Sequence, residues 1–200
     1  MKLGIYGGTF APIHNGHVRV AKAFYNDLEL DKLLIIPAGI PPHKQVSHND
    51  SPEKRLRMCQ LAFDGCPGID VSDIELKREG KSYTVLTLRE LSGENTELYL
   101  LCGSDMILSF DKWYCFDEIF KLCTVVYVRR EDDDDIGKEI EAKIFSYHEK
   151  YGAKIIKLET PPLEISSTQV REAVKSGMDI SQLVPQSVAE YIRENQLYGG

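Results

Sequence analysis

Gly7-Gly8-Thr9-Phe10-Ala11-Pro12-Ile13-His14-Asn15-Gly16-His17 is the stretch whose reading decides the fold. It follows the mostly apolar Leu3-Gly4-Ile5-Tyr6 and leads into a helical pattern. The expected order is a short strand, a glycine turn, and a helix start carrying two histidines three residues apart. That order makes an anion site. Glycines let backbone N–H groups approach phosphate closely, and a helix N-terminus adds partial positive charge. His14 and His17 add donors that can become cationic near neutral pH. Two plainer readings stand beside it. One is a loop with a core histidine and a surface histidine. The other is a zinc pair, for which HxxH lacks a nearby Cys or Asp partner. Phosphate handling fits the strand-to-helix context best.

Outward from this segment, strands and helices alternate. Leu3–Tyr6 reads as a buried strand and Val18–Leu28 as a helix, with Val20, Ala21, Phe24 and Leu28 among its apolar positions. Leu33-Leu34-Ile35-Ile36-Pro37 is a second strand. Ser51 and Pro52 read as N-cap and first position of a helix reaching about Phe63. Ile69–Ile74, Leu98–Leu101, Thr124–Val128 and Ile155–Leu158 read as further strands, with a helix near Tyr83–Leu91. Strands this continuously apolar, separated by helices, imply a parallel sheet covered on both faces. Right-handed crossovers then give a doubly wound α/β fold with ligands outside the strands' carboxyl ends. Residues 160–200 show two helical patterns and no strand. We therefore expect residues 1–200 to form one domain, with 160–200 as a small C-terminal helical part. Glu131-Asp132-Asp133-Asp134-Asp135 is expected to be a solvated loop.

Composition narrows the functional classes. A length of 200 residues with 42% apolar content is enough for one sizeable core. The net charge of −7, with no basic stripe, argues against a general nucleic-acid binder. The local cations of interest are Lys44, Arg55, Arg57 and Arg171. For Arg55 and Arg57, in the second helix, a structural salt bridge is favoured over a ligand contact. Five cysteines without a CxxC pair read as free thiols in a reducing compartment. There is no signal-peptide pattern and no apolar run of membrane-spanning length. The expected location is cytoplasmic, with no membrane partner.

A second anion-binding segment lies at Ile165-Ser166-Ser167-Thr168-Gln169-Val170-Arg171. Ser166 and Gln169 make a capping box. Ser167 and Thr168 offer hydroxyls and N–H groups, and Arg171 lies one turn along. The plainer reading is an ordinary capped helix with a surface arginine. Two phosphate-grade helix starts in one chain suit a triphosphate spanning the sheet's edge.

GGTFxPIHxGH near one end and ISSTxVR near the other resemble the HxGH nucleotidyltransferase superfamily, which has a Rossmann-like sheet. Within it the chain is similar to bacterial nicotinate-nucleotide adenylyltransferases. Pro41-Pro42-His43-Lys44, Arg78–Thr84, Gly103-Ser104-Asp105-Met106, Lys112-Trp113-Tyr114 and Tyr191–Tyr198 carry that narrower match. The resemblance implies transfer of AMP from ATP to nicotinate mononucleotide, with Mg²⁺ held mainly by the phosphates. It implies His14, His17 and Arg171 as the catalytic groups. ATP would be bound by Gly7, Gly8, Thr9, Phe10, the two histidines, Gly103, Asp105, Ser166, Ser167, Thr168 and Arg171. Asp105 would contact ribose, with a helix N-cap as its plainer role. Lys44 would hold phosphate. Trp113 would stack on the pyridine ring, although a lone tryptophan also serves as a core anchor. N–H groups around Tyr83, Thr84 and Tyr114 would receive the nicotinate carboxylate. No resident metal site is expected, and a homo-oligomer is expected by analogy.

The resemblance departs at Ala11, where family members carry an acidic residue or a close polar relative. Three rival readings remain. The first is a related transferase with another acceptor, including the amide nucleotide. The second is a catalytically idle nucleotide sensor, and the third is a zinc-binding interaction module.

Overall fold

Successive residues of a strand point to opposite faces of a sheet, and the apolar runs of this chain fill both. The computed structural model describes residues 1–41, 49–129, 134–160 and 164–199. Its strands are β1 (Lys2–Gly8), β2 (Lys32–Pro37), β3 (Ile69–Val71), β4 (Glu97–Gly103), β5 (Cys123–Val128) and β6 (Ile155–Leu158). They lie in the order β3-β2-β1-β4-β5-β6, and every pairing is parallel. The order reverses between β1 and β4, whose carboxyl ends are therefore neighbours. In a doubly wound sheet that reversal opens the ligand crevice.

The helices are α1 (Asn15–Asp27), α2 (Pro52–Phe63), α3 (Ile74–Lys77), α4 (Thr84–Leu91), α5 (Ser104–Leu108), α6 (Phe116–Leu122), α7 (Asp134–Tyr151), α8 (Ser167–Lys175) and α9 (Gln186–Glu194). On one face, Tyr6, Leu33, Ile35, Leu101, Val126 and Val128 meet α1, α2, α8 and α9 through Phe24, Met58, Val170 and Val188. On the other, Leu3, Ile5, Ile36, Leu98, Leu100 and Val125 meet α4 to α7 through Leu88, Ile107, Ile119 and Ile140. The C-terminal helices thus share the core of α1 and α2. Among the described residues, no helix is long and apolar enough to cross a membrane. None of the five cysteines is in a disulfide, and Cys59, Cys102 and Cys123 are buried.

Several local readings change. β1 runs through Gly8, so the two glycines end the strand and do not form the turn after it. β3 stops at Val71, because Ser72 Oγ accepts from Ile74 N (3.4 Å) and starts α3 where a continued strand was expected. α7 begins at Asp134, so the acidic run is not all loop. Its first three residues, 131–133, lie outside the described residues. Helices α5 and α6 and the 3₁₀ turn Phe110–Lys112 are short and carry no clear period in the sequence.

β2 exits through Ala38 and Gly39, which lie against α3. A Cβ on Gly39 would stand 2.6 Å from the Glu75 carbonyl oxygen, a backbone atom with little room to yield. Gly39→Ala is expected to cost about 1–3 kcal/mol, as overpacking does. Chemical denaturation checks this, and wild-type stability would contradict it.

Candidate active site

His14 is the N-cap of α1, with an extended backbone (φ −143°, ψ 170°). Its Nδ1 accepts from His17 N at 3.4 Å, and His17 Nδ1 accepts from His14 N at 3.3 Å. This is a capping box built from two imidazoles, filling the roles that Ser and Gln fill at α8. The ring centroids are 3.6 Å apart, tilted by 30°. A neutral imidazole whose Nδ1 accepts carries its proton on Nε2. Capping therefore sets the tautomer of both rings as Nε2–H donors. The sequence shows the spacing, but it does not show that each ring secures the other.

Phe10 explains the glycine before it. Its φ of 48° is left-handed, unusual for a bulky residue, and its ring is buried against Tyr6 (5.4 Å) and His17 (5.1 Å). A Cβ on Gly8 would meet that ring at 2.9 Å. Gly8 is thus required here by close approach. Ala38 N donates to Gly8 O (2.8 Å), joining the loop to the exit of β2.

The second helix start docks onto the first. Ser166 accepts from Gln169 N (3.1 Å), and Gln169 Oε1 accepts from Ser166 N (3.3 Å), the expected capping box. Ser167 Oγ donates to Pro12 O (2.8 Å), and Arg171 Nη1 donates to Ala11 O (2.7 Å). Arg171 Nη2 donates to Thr168 Oγ1 (3.0 Å). Asn15 is held from the other side, its N donating to Leu183 O (2.9 Å) and its Nδ2 to Gln182 O (3.0 Å). The α8 start and the histidine helix are therefore fixed to one loop.

A cleft of ≈ 990 Å³ opens at the carboxyl ends of β1 and β4. Small-molecule sites run to roughly 1,000 Å³, so this is a large one. Gly7, Gly8, Thr9, Phe10, His14 and His17 line it from the N-terminal segment. Ser166, Ser167, Thr168 and Arg171 line it from α8, and Gly103 and Asp105 from the end of β4. Tyr83, Thr84, Trp113 and Tyr114 line the remaining wall. Lys44 lies outside the described residues, as do Pro42, His43 and His48. Asp105 is exposed in the first turn of α5, and Gly103 is the N-cap residue there, so the aspartate is no cap. Trp113 is half-buried, stacked on the core residue Phe110 at 4.6 Å and 10°, so it is anchored to the core while lining the cleft. Tyr114 is exposed and meets the Tyr83 ring at 4.7 Å.

Three groups on the Tyr83 wall were not anticipated: Glu75, Ser82 and Thr87, all buried. Thr87 Oγ1 donates to Glu75 Oε1 (2.7 Å), and Ser82 Oγ accepts from Gly39 N (3.0 Å). Burial pushes the Glu75 carboxyl up from the usual carboxylate range, against hydrogen bonds from Thr87 and Ser82 that favour its charged form. No motif in the sequence separates this glutamate from surface acids. Arg57 is exposed, whereas Arg55 is buried and donates to two backbone carbonyls, and among the described residues neither shows the expected salt bridge. Among the described residues, no group of three or more His, Cys, Asp or Glu gathers to hold a metal.

Residues 5–173 match the cytidylyltransferase-like family model. The chain is 40% identical to a probable nicotinate-nucleotide adenylyltransferase of Thermoanaerobacter sp. strain X514, over 99% of this chain and 94% of that one. It is 39% identical to one from Shewanella pealeana, over 100% and 97%. In fold it is similar to Plasmodium falciparum nicotinic acid mononucleotide adenylyltransferase, solved in complexes with APC and with NaAD. The TM-scores are 0.74 and 0.75, at 19% and 20% identity, covering 98% of this chain and 96% and 97% of those.

Ala11 faces the cleft while its carbonyl anchors Arg171. Because that anchor is backbone, Ala11→Asp is expected to change kcat or KM by less than about tenfold, or ~1.4 kcal/mol. Steady-state kinetics check this, and a change of about a hundredfold would contradict it. His17→Gln keeps an acceptor for His14 N but loses the ring, so melting should show less than about 1 kcal/mol lost. His17→Ala should lose more.

Proposed function

The chain belongs to the nicotinate-nucleotide adenylyltransferases within the cytidylyltransferase-like group, and on that premise we propose how its cleft carries the reaction. The enzyme transfers the adenylyl group of ATP to nicotinate mononucleotide, giving deamido-NAD and pyrophosphate, a step of NAD biosynthesis. A phosphate oxygen of the mononucleotide attacks the α-phosphorus of ATP. The bond from that phosphorus to the bridging oxygen breaks, and pyrophosphate leaves with its electron pair. The nucleophile is already ionised at neutral pH, so no general base is required. Catalysis becomes the alignment of two polyanions and the neutralisation of charge on the reacting and leaving phosphates.

One observation carries the assignment: two capped helix starts, α1 and α8, bound to the same loop at the sheet's reversal point. His14 and His17 donate from Nε2 to ATP phosphate oxygens. Arg171, with the first turn of α8 at Ser166, Ser167 and Thr168, receives the β and γ phosphates. Gly7, Gly8, Thr9 and Phe10 shape the loop beneath them, and Gly103 and Asp105 take the ribose side. Lys44 holds phosphate from the segment after β2. The imidazole N–H groups, hydroxyls and guanidinium at this end complement phosphate oxygens better than a bare cation. A divalent ion such as Mg²⁺, brought by ATP, would be held mainly by phosphate oxygens and water and would supply the remaining charge neutralisation.

The Tyr83 wall selects the acceptor. Trp113 stacks on the pyridine ring, backed by Phe110. N–H groups around Tyr83, Thr84 and Tyr114 meet the nicotinate carboxylate. A carboxylate needs only donors, whereas an amide also needs an acceptor, and that difference favours the acid. We read residues 1–200 as one functional unit with 160–200 as its helical part. The free cysteines fit a reducing, cytoplasmic setting. The reading assigns no nucleic-acid or membrane partner, and a homo-oligomer by analogy with the family.

Pyrophosphate release with ATP and Mg²⁺, comparing nicotinate with nicotinamide mononucleotide, tests the assignment. Strong preference for the acid is expected, and equal or reversed preference would remove the account of the Tyr83 wall. His17→Ala should lower kcat by at least ~100-fold with the fold intact by circular dichroism. Near-normal turnover would overturn its role. Trp113→Ala should chiefly raise KM for the mononucleotide. A loss of stability with KM unchanged would return that residue to the core alone.

A further inference from the structure

Arg55 sits on α2, and only 1% of it is exposed. Its guanidinium serves two backbone carbonyls from separate segments. Nη1 donates to Thr9 O (2.7 Å), in the loop beneath the ATP phosphates, and Nη2 donates to Gly39 O (3.2 Å), just past β2. Gly39 reaches further with its other backbone group, its N–H donating to Ser82 Oγ (3.0 Å). Ser82 N in turn donates to Ile40 O (2.9 Å), and Ser82 immediately precedes Tyr83 and Thr84 on the acceptor wall. One guanidinium thus ties the ATP loop to the mononucleotide wall through a single residue, Gly39.

A second arm supports it. Asp50, 1% exposed, accepts from Tyr198 Oη (2.6 Å), and its charge favours the protonated guanidinium against the burial that opposes it. Asn49 Oδ1 accepts from Tyr198 N (3.1 Å), and Asn49 Nδ2 donates to Gln196 O (3.0 Å). The C-terminal segment therefore holds the residues that lead into α2. Burying a cation is costly, and satisfying two carbonyls with it is a demanding use. A well-packed apolar residue would fill the space but would leave Thr9 O and Gly39 O without that donor.

We propose that Arg55 is a positioning residue for adenylyl transfer. It sets the ATP phosphate loop and the nicotinate wall in register through Thr9, Gly39 and Ser82, so that attacking and accepting phosphates align. The proposal rests on the reading under Proposed function. It touches no substrate, and its effect on rate is one of alignment, where small displacements of reacting groups are felt strongly. The planar fork places a separate nitrogen on each carbonyl in a fixed geometry, whereas an ammonium is a single, freely rotating point charge.

The test is a double-mutant cycle on Arg55→Lys and Ser82→Ala, with Ser82→Thr as the conservative control. Kinetics are read well below each variant's melting temperature. Arg55→Lys keeps the charge and loses the fork, and should lower kcat at saturating substrates by at least ~tenfold. Ser82→Ala should lower it by at least ~threefold, and Ser82→Thr should restore it. Because both act through Gly39, the double variant should be no slower than about twofold below the worse single one. Arg55→Lys with kcat within about twofold of wild type would overturn the proposal, as would strictly multiplicative losses. Lower melting temperatures with unchanged kcat would make the residue merely structural and would also overturn it.

If Arg55→Lys does not fold, Ser82→Ala decides. Wild-type kcat in that variant removes the link, and a loss rescued by Thr supports it. The same cycle read as affinity for α,β-methylene ATP by calorimetry does not depend on the acceptor. A failed acceptor assignment would therefore show as absent pyrophosphate release in the wild type, with the coupling between the two sites still measurable.

Discussion

The reciprocal cap between His14 and His17 is the constraint around which the rest of the cleft is arranged. A helix start leaves N–H groups without partners, and most chains satisfy them with Ser, Thr or Asp. Here each ring accepts the other's backbone N–H through Nδ1. The same two bonds cap α1, hold two imidazoles against each other and assign their protons to Nε2. A hydroxyl cap would secure the helix about as well, at about 1 kcal/mol, but would contribute no imidazole donor to the cleft. The same two rings therefore cap the helix and line the cleft.

The loop between β1 and α1 is held by what docks on it. Arg171 and Ser167 from α8 take the carbonyls of Ala11 and Pro12, Arg55 from α2 takes that of Thr9, and Leu183 O takes the N–H of Asn15. Hydrogen bonds from a charged donor contribute roughly 1.5–3 kcal/mol each, so two guanidiniums on adjacent stretches outweigh any single neutral contact nearby. They can do this because α8 and α9 pack through Val170, Val188 and Ile192 into the same core as α1 and α2. A C-terminal part that looks like an appendage by composition is part of the frame of the site.

Much of this was legible beforehand, for identifiable reasons. Parallel strands buried on both faces leave long apolar runs, so β2, β4 and β5 stood out, and the capping box at Ser166 and Gln169 has a sequence signature. The HxGH and ISSTxVR segments pointed to one phosphate site, and the fold brings them onto one loop. Other features have no such signature. A histidine cap looks the same in sequence as a pair of free donors. Gly8 is needed because a ring with left-handed backbone, Phe10, folds back over it, and that contact joins no pattern along the chain. Arg55 reads as a salt-bridge partner in the sequence because its actual partners are carbonyls, which every residue carries. Glu75, Ser82 and Thr87 meet only when α3 and α4 pack together. The short helices α5 and α6 are set by tertiary packing around Phe110 and Phe120, too brief for a period to emerge.

The most direct measurement is a crystal structure of the protein with a non-hydrolysable ATP analogue. The expected density puts the α-phosphate against His14 and His17, the terminal phosphates at the first turn of α8 beside Arg171, and the adenosine toward Gly103 and Asp105. A triphosphate lying instead along the Trp113 wall, or histidine rings turned so that Nδ1 faces the phosphates and the cap is broken, would contradict it.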